Sequence, residues 1–150
     1  MTLKNRLQDD MKTALKSKDK DRLGTIRLIL AAVKQREVDE RINLDDAAII
    51  TVLDRMAKQR RESISQFQNA GRTDLADKEE FELAVIQSYL PAALSDAELD
   101  QLIEAAMTES DASSIRDMGK VMALIKPKAQ GRADMTALSA RVKARLSAAG

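Results

Sequence analysis

Apolar residues recur at helical spacing along almost the whole chain, and short polar clusters interrupt the rhythm. Leu3, Leu7, Met11 and Leu15 keep an i, i+4 spacing behind Thr2, whose hydroxyl suits an N-cap, and predict a first helix. Residues 16–20 form a polar break. A second helix is predicted from about Arg22 to Arg41, with Leu23, Ile26, Leu30 and Val33 as its core stripe and Ile29 and Ala32 widening it. In its charged far end only Val38 continues the apolar face, while Arg36–Glu40 and Glu37–Arg41 stand at ion-pair spacing. Asp45 or Asp46 caps a third helix that buries Ile49, Val52, Leu53, Met56, Ile64 and Phe67. Ala70-Gly71-Arg72 ends it, since glycine enters the left-handed region without a Cβ penalty. Thr73 or Asp74 starts a fourth helix with Leu75, Leu83, Ile86 and Leu90 on its stripe and Phe81 and Val85 beside it.

Pro91 forces the preceding residue out of the helical region and divides the chain into a long-helix subdomain, 1–91, and a small three-helix subdomain, 92–150. The second opens on Ser95-Asp96-Ala97-Glu98, a capping box, followed by Leu99, Leu102, Ile103 and Ala106. After a loop at 110–114, Val121, Met122, Leu124 and Ile125 mark a helix that Pro127 is expected to end. Gly131 makes a turn, Asp134 caps the last helix, and Met135, Leu138, Val142 and Leu146 form its face, with residues 147–150 expected to fray. The fold class is all-α: a multihelical arrangement of two subdomains.

Composition narrows the chemistry. The 150 residues are 44% apolar but only 2% aromatic, so the core is aliphatic. There is no cysteine and no histidine, which removes disulfides, thiolate nucleophiles and the usual neutral-pH acid–base group. The acidic residues show no metal-binding spacing, Ser63, Ser65 and Ser95 sit in no recognisable amidase setting, and no cofactor loop is present. The charged N-terminus lacks the apolar stretch of a signal peptide, and 28–33 is the longest apolar block, so the expectation is a soluble cytoplasmic protein without a membrane span.

The net charge of +1 hides a segregation. Residues 92–114 hold six acids and no base, whereas 115–150 hold eight bases and two acids. Two local features in that basic segment invite a phosphate. Met118-Gly119-Lys120 stands near a helix start, where free N–H groups beside Lys120 suit an anion; alternatively Gly119 permits close helix packing. Gly131-Arg132, with Lys126 and Lys128, forms a basic corner, and Arg141 lies on the following helix. On the second helix Arg27, Lys34 and Arg41, seven apart, either face solvent or meet a polyanion. The same choice holds for Arg55, Lys58, Arg60 and Arg61. Tyr89 reads as a packing residue between the subdomains with its hydroxyl at the surface, and Phe67 and Phe81 as core. With so few aromatics, single-strand stacking is disfavoured and a folded RNA read through shape and phosphates is favoured.

RLILAAVKQREVDER (27–41), QFQNAGRTDLADKEEFELAVIQSYLP (66–91) and DMGKVMALIKPKAQGRAD (117–134) together resemble the YqeY family, which is similar to the C-terminal tail of the B subunit of the Glu/Asp-tRNA amidotransferase, GatB. The resemblance spans essentially the whole chain. It implies a two-part helical fold and a tRNA-binding accessory role, with Gly119, Lys120, Lys126, Lys128, Gly131 and Arg132 falling in the tail's terminal motif. A link to glutamine-dependent carbon–nitrogen ligase activity is inherited from the larger enzyme, whose nucleotide-binding and glutaminase parts have no counterpart here. The competing expectation is a helical protein-interaction module acting with a partner in tRNA amidation or translation.

Overall fold

The computed structural model describes residues 1–149, the side chain of Ala149 excepted. It contains seven α-helices and, among the described residues, no strand. They are α1 (Leu3–Lys16), α2 (Lys20–Glu40), α3 (Asp46–Asn69), α4 (Thr73–Gln87), α5 (Asp96–Ser110), α6 (Met118–Ala129) and α7 (Met135–Ala149), with a 3₁₀ turn at Ile115–Asp117 ahead of α6. The chain divides into two compact units, one ending at Leu90 and the other beginning at Pro91.

In the first unit α1 pairs with α2 and α3 with α4, and α2 packs on both α3 and α4. Thr2 caps α1 by accepting from the Asn5 N–H, and Asp45 caps α3 by accepting from the Ala48 N–H. Asp46 instead accepts from the Leu3 N–H at 3.0 Å and ties the start of α1 to that of α3. The break before α2 is a turn with Lys18 at φ 59° and Asp19 as the cap. Gly71, at φ 72°, closes α3 with paired bonds from Gly71 N–H to Gln68 and from Arg72 N–H to Phe67 carbonyls. These meet the orphan acceptors of the last turn. The start of α4 differs from the expectation: Arg72 is the cap residue without a side-chain bond, and it grips the Asp74 carboxylate at 3.1 Å.

The first core joins Leu7, Ile26, Ile29, Val33, Leu44, Ile49, Leu53, Met56, Ala57, Val85, Ile86 and Tyr89. Several apolar residues expected there lie outside it. Leu15, Val38 and Phe81 are exposed, and Ala14 takes the inward position at the end of α1. The row Ile26, Ile29, Val33 continues inward to Glu37, not to Val38. Glu37 is tolerated because its carboxylate accepts from Lys4 Nζ at 2.7 Å and from the Leu44 N–H at 2.9 Å. These two bonds hold its pKa below the carboxylate norm despite partial opposition from burial. Glu37 makes these contacts instead of pairing with Arg41, while Arg36–Glu40 forms at 2.7 Å as its spacing suggested. Tyr89 belongs to this core, and its hydroxyl donates to Asp10 Oδ2 at 2.5 Å instead of reaching the surface.

In the second unit Ile103, Ala106, Val121, Ile125, Ala129, Leu138, Val142 and Leu146 form the core where α5 and α7 meet α6. The Ser95–Glu98 capping box is present, and Asp134 accepts from the Thr136 N–H at 3.1 Å at the start of α7. Pro127 does not end its helix. It lies in the last turn of α6, which continues to Ala129. The cost is small because the carbonyl that is left without a donor belongs to Ala123, at an exposed position open to water. Gly131, at φ 77°, makes the turn into α7. Residues 147–149 remain helical, and Gly150 lies outside the described residues.

Candidate nucleic-acid interface

Charge segregation along the second unit resolves into charge pairing. Asp96, Asp100 and Glu104 stand one helical turn apart on α5, and Arg141 and Arg145 stand one turn apart on α7. Arg141 reaches Asp96 at 3.1 Å and Asp100 at 3.0 Å, and Arg145 pairs with Glu104. The two carboxylates beside Arg141 raise its already high pKa further. Arg132 donates through Nε to the Ala92 carbonyl at 3.0 Å, lies 3.9 Å from Glu98, and accepts from the Leu94 N–H through its own carbonyl at 2.8 Å. Arg132 and Arg141 thus staple the segment before α5, and α5 itself, to the rest of the unit. Three of the basic residues, Arg132, Arg141 and Arg145, thus have counter-charges supplied by the acidic helix. The matching i, i+4 rows on α5 and α7 were the sequence signal for it.

The lysines are placed differently. Lys120 is 69% exposed and approaches Asp117 at a loose 3.8 Å. Lys126 and Lys128 are exposed and, among the described residues, have no ion-pair partner. The buried side of α6 is Val121, Ile125 and Ala129. At 100° per residue Gly119, Lys120, Ala123 and Pro127 lie on the opposite, exposed surface, while the exposed Lys126 and Lys128 stand on its two flanks. Residues 118–129 contain no acid.

Gly119 sits in the first turn of α6 and is exposed, and a Cβ built there meets nothing within 4 Å. Close helix packing is therefore not what requires it. The turn ahead of it already carries an internal anion. The Asp117 carboxylate accepts from the Ser113 and Ser114 N–H groups at 3.0 and 3.3 Å, and those two donors lower its pKa. Gly131 is buried in the turn, so only its neighbours face solvent. Elsewhere, Arg60 on α3 is engaged by Glu82 at 3.0 Å and Glu79 at 3.6 Å, leaving Arg55 and Lys58 exposed. Lys34 on α2 and Arg41 just beyond its end line a cleft of 240 Å³ with Val38 and Ile42, while Arg27 is exposed on the same helix as Lys34.

The sequence profile described as Yqey-like protein matches residues 4–146. The chain belongs to the YqeY family. Relatives of this YqeY protein include three fungal proteins, each called "Altered inheritance of mitochondria protein 41, mitochondrial". That of Pyrenophora tritici-repentis is 35% identical over 130 residues, covering 83% of this chain and 71% of the relative. That of Eremothecium gossypii is 41% identical over 101 residues, covering 67% of this chain and 55% of the relative. That of Lachancea thermotolerans is 36% identical over 107 residues, with 69% and 57% covered. The chain thus spans little more than half the length of the last two. The names overturn the expectation of a cytoplasmic protein, which rested on the lack of a signal peptide and of a long apolar run. A charged all-helical domain suits a mitochondrial interior equally well, so those features do not choose a compartment. No helix among the described residues is long and apolar enough to cross a membrane.

Proposed function

We propose that this YqeY protein is an accessory module that binds tRNA or a similarly folded RNA through the lysine-bearing outer surface of α6. One observation carries the reading: α6 carries three exposed lysines, Lys120 facing away from its core and Lys126 and Lys128 on the two flanks, without an acid anywhere on the helix. Exposed lysines are point charges suited to phosphates, which position a nucleic acid without reading its sequence. The scarcity of aromatics agrees with recognition by shape and backbone. Arg132 and Arg141 have a supporting role in this reading, holding α6 and α7 in place through their bonds to the Ala92 carbonyl and α5.

The test is tRNA binding by the full chain, followed by fluorescence anisotropy across a salt series. The comparison is a Lys120→Gln/Lys126→Gln/Lys128→Gln variant whose fold is verified by circular dichroism. Binding by the intact chain weakens log-linearly with salt, and every lysine that no longer neutralises a phosphate flattens the slope by about 0.7–0.9. A variant that binds as tightly and as salt-dependently as the intact chain refutes α6 as the binding surface. Absence of binding at low salt refutes RNA binding by this chain alone.

A further inference from the structure

A cleft of 640 Å³ in the first unit lies between α2 and α4 and is lined by Lys20, Asp21, Gly24, Thr25, Leu28, Asp77, Lys78, Phe81 and Glu82. Leu28 and Phe81 stand at its surface 47% and 42% exposed. Phe81 is one of only three aromatic residues in the chain, and leaving it in water is costly. Gly24 sits in the interior of α2, where glycine weakens a helix. No close packing requires it, because a Cβ at that position meets nothing within 4 Å. Its effect is to leave a hollow between two projecting apolar side chains.

We infer that this cleft is a self-complementary surface that receives a second copy of the same chain. A knob, Phe81, and a hollow over Gly24 share one patch. That is the requirement for an isologous two-fold contact, in which residue i of one copy meets residue j of the other and the reverse. The charges at the rim obey the same symmetry. α2 offers Lys20 then Asp21, α4 offers Asp77 then Lys78, and among the described residues none of the four has an ion-pair partner within its own chain. Glu82 is already committed to Arg60 at 3.0 Å. Rotation about a two-fold axis sets Lys20 against Asp77 and Asp21 against Lys78 of the other copy, giving four pairs around an apolar centre. A polyanion matches neither the mixed-sign rim nor the exposed Phe81 and Leu28, so this surface is independent of the RNA-binding reading.

Sedimentation of the intact chain over a concentration series tests the inference. The expected result is a shift from the 16.6 kDa monomer to twice that mass at micromolar concentration. Gly24→Leu, which fills the hollow, and Phe81→Ser, which removes the knob, each weaken the dimer at least tenfold. Unchanged circular dichroism and melting separate a failure to associate from a failure to fold. Lys78→Glu weakens it as well, and adding Asp21→Lys restores it. An intact chain that stays monomeric at every concentration overturns the inference. So does a dimer indifferent to both Gly24→Leu and Phe81→Ser.

Discussion

Replacing Tyr89 by Phe removes one oxygen from the first core and nothing else. The ring keeps its place among Leu7, Ile26, Ile86 and their neighbours, and the Arg6 guanidinium still lies over it, 4.8 Å from the ring centre. What disappears is the 2.5 Å hydrogen bond to Asp10 Oδ2. A bond to a charged acceptor contributes about 1.5–3 kcal/mol. Asp10 is only partly buried and regains water, which places the expected loss near the low end, at about 1–2 kcal/mol. Proton linkage adds a separate dependence on pH. Burial, reinforced by the Asp10 carboxylate, pushes the phenol up from 10.0 to about 12. Because the folded value is the higher one, the stabilisation is complete below pH 10 and is lost as pH rises through about 12. A rise of that size amounts to at most about 2.7 kcal/mol, and about half that after screening at a partly hydrated carboxylate. The chain has one tyrosine and no tryptophan, so near-ultraviolet phenolate absorbance reports this residue alone. In the native protein the phenolate forms near pH 12, and in denaturant near pH 10. Tyr89→Phe lowers the melting temperature of the first unit by roughly 5–10 °C and abolishes this residue's share of the alkaline loss of stability. A native phenol titrating at its ordinary value, or a Phe variant with an unchanged denaturation midpoint, refutes the reasoning.

Gly71→Ala meets no steric obstacle, since a Cβ there touches nothing within 4 Å, but φ of 72° strains any other residue. It costs about 1 kcal/mol by urea denaturation, whereas Gly71→Asn costs less. Gly119→Ala faces the same open space in an ordinary helical conformation. It raises stability by about 0.5–1 kcal/mol in the same measurement, and an equal tRNA affinity shows that the bare backbone at 119 does not touch the ligand. Glu37 has its folded pKa below 4.5, so its stabilisation is present above pH 4.5 and is lost as pH falls through the folded value. Glu37→Gln is therefore less stable than the intact chain at neutral pH, and denaturation at about pH 3 shows the gap narrowed; a gap independent of pH contradicts the assignment of that bond network.

Local rules written in a few consecutive residues carried through to the structure. Thr2, Asp45, Ser95 with Glu98, and Asp134 start the helices for which their short oxygen-bearing side chains suit them, and Gly71 and Gly131 turn the chain with positive φ. Such caps act over three or four residues, so the sequence contains all the information they need. The same holds for the inward rows Ile26–Ile29–Val33 and Leu138–Val142–Leu146, where periodicity alone marks the buried face. Membership of the YqeY family was likewise legible in three ordered motifs. Other outcomes depended on what lies across from a residue. Glu37 turned inward and Val38 outward because Lys4 and the Leu44 amide, 33 and 7 residues away, supply charge and hydrogen bonds at the inward position. Phe81 stayed outside, 42% exposed, along the cleft that it shares with Gly24. The arginines at 132, 141 and 145 changed from free cations to internal clasps because α5 brings its carboxylates to them, leaving the α6 lysines as the free charge. Periodicity records which side of a helix avoids water; only packing decides which neighbour covers it, and a charge is free or spent according to that neighbour.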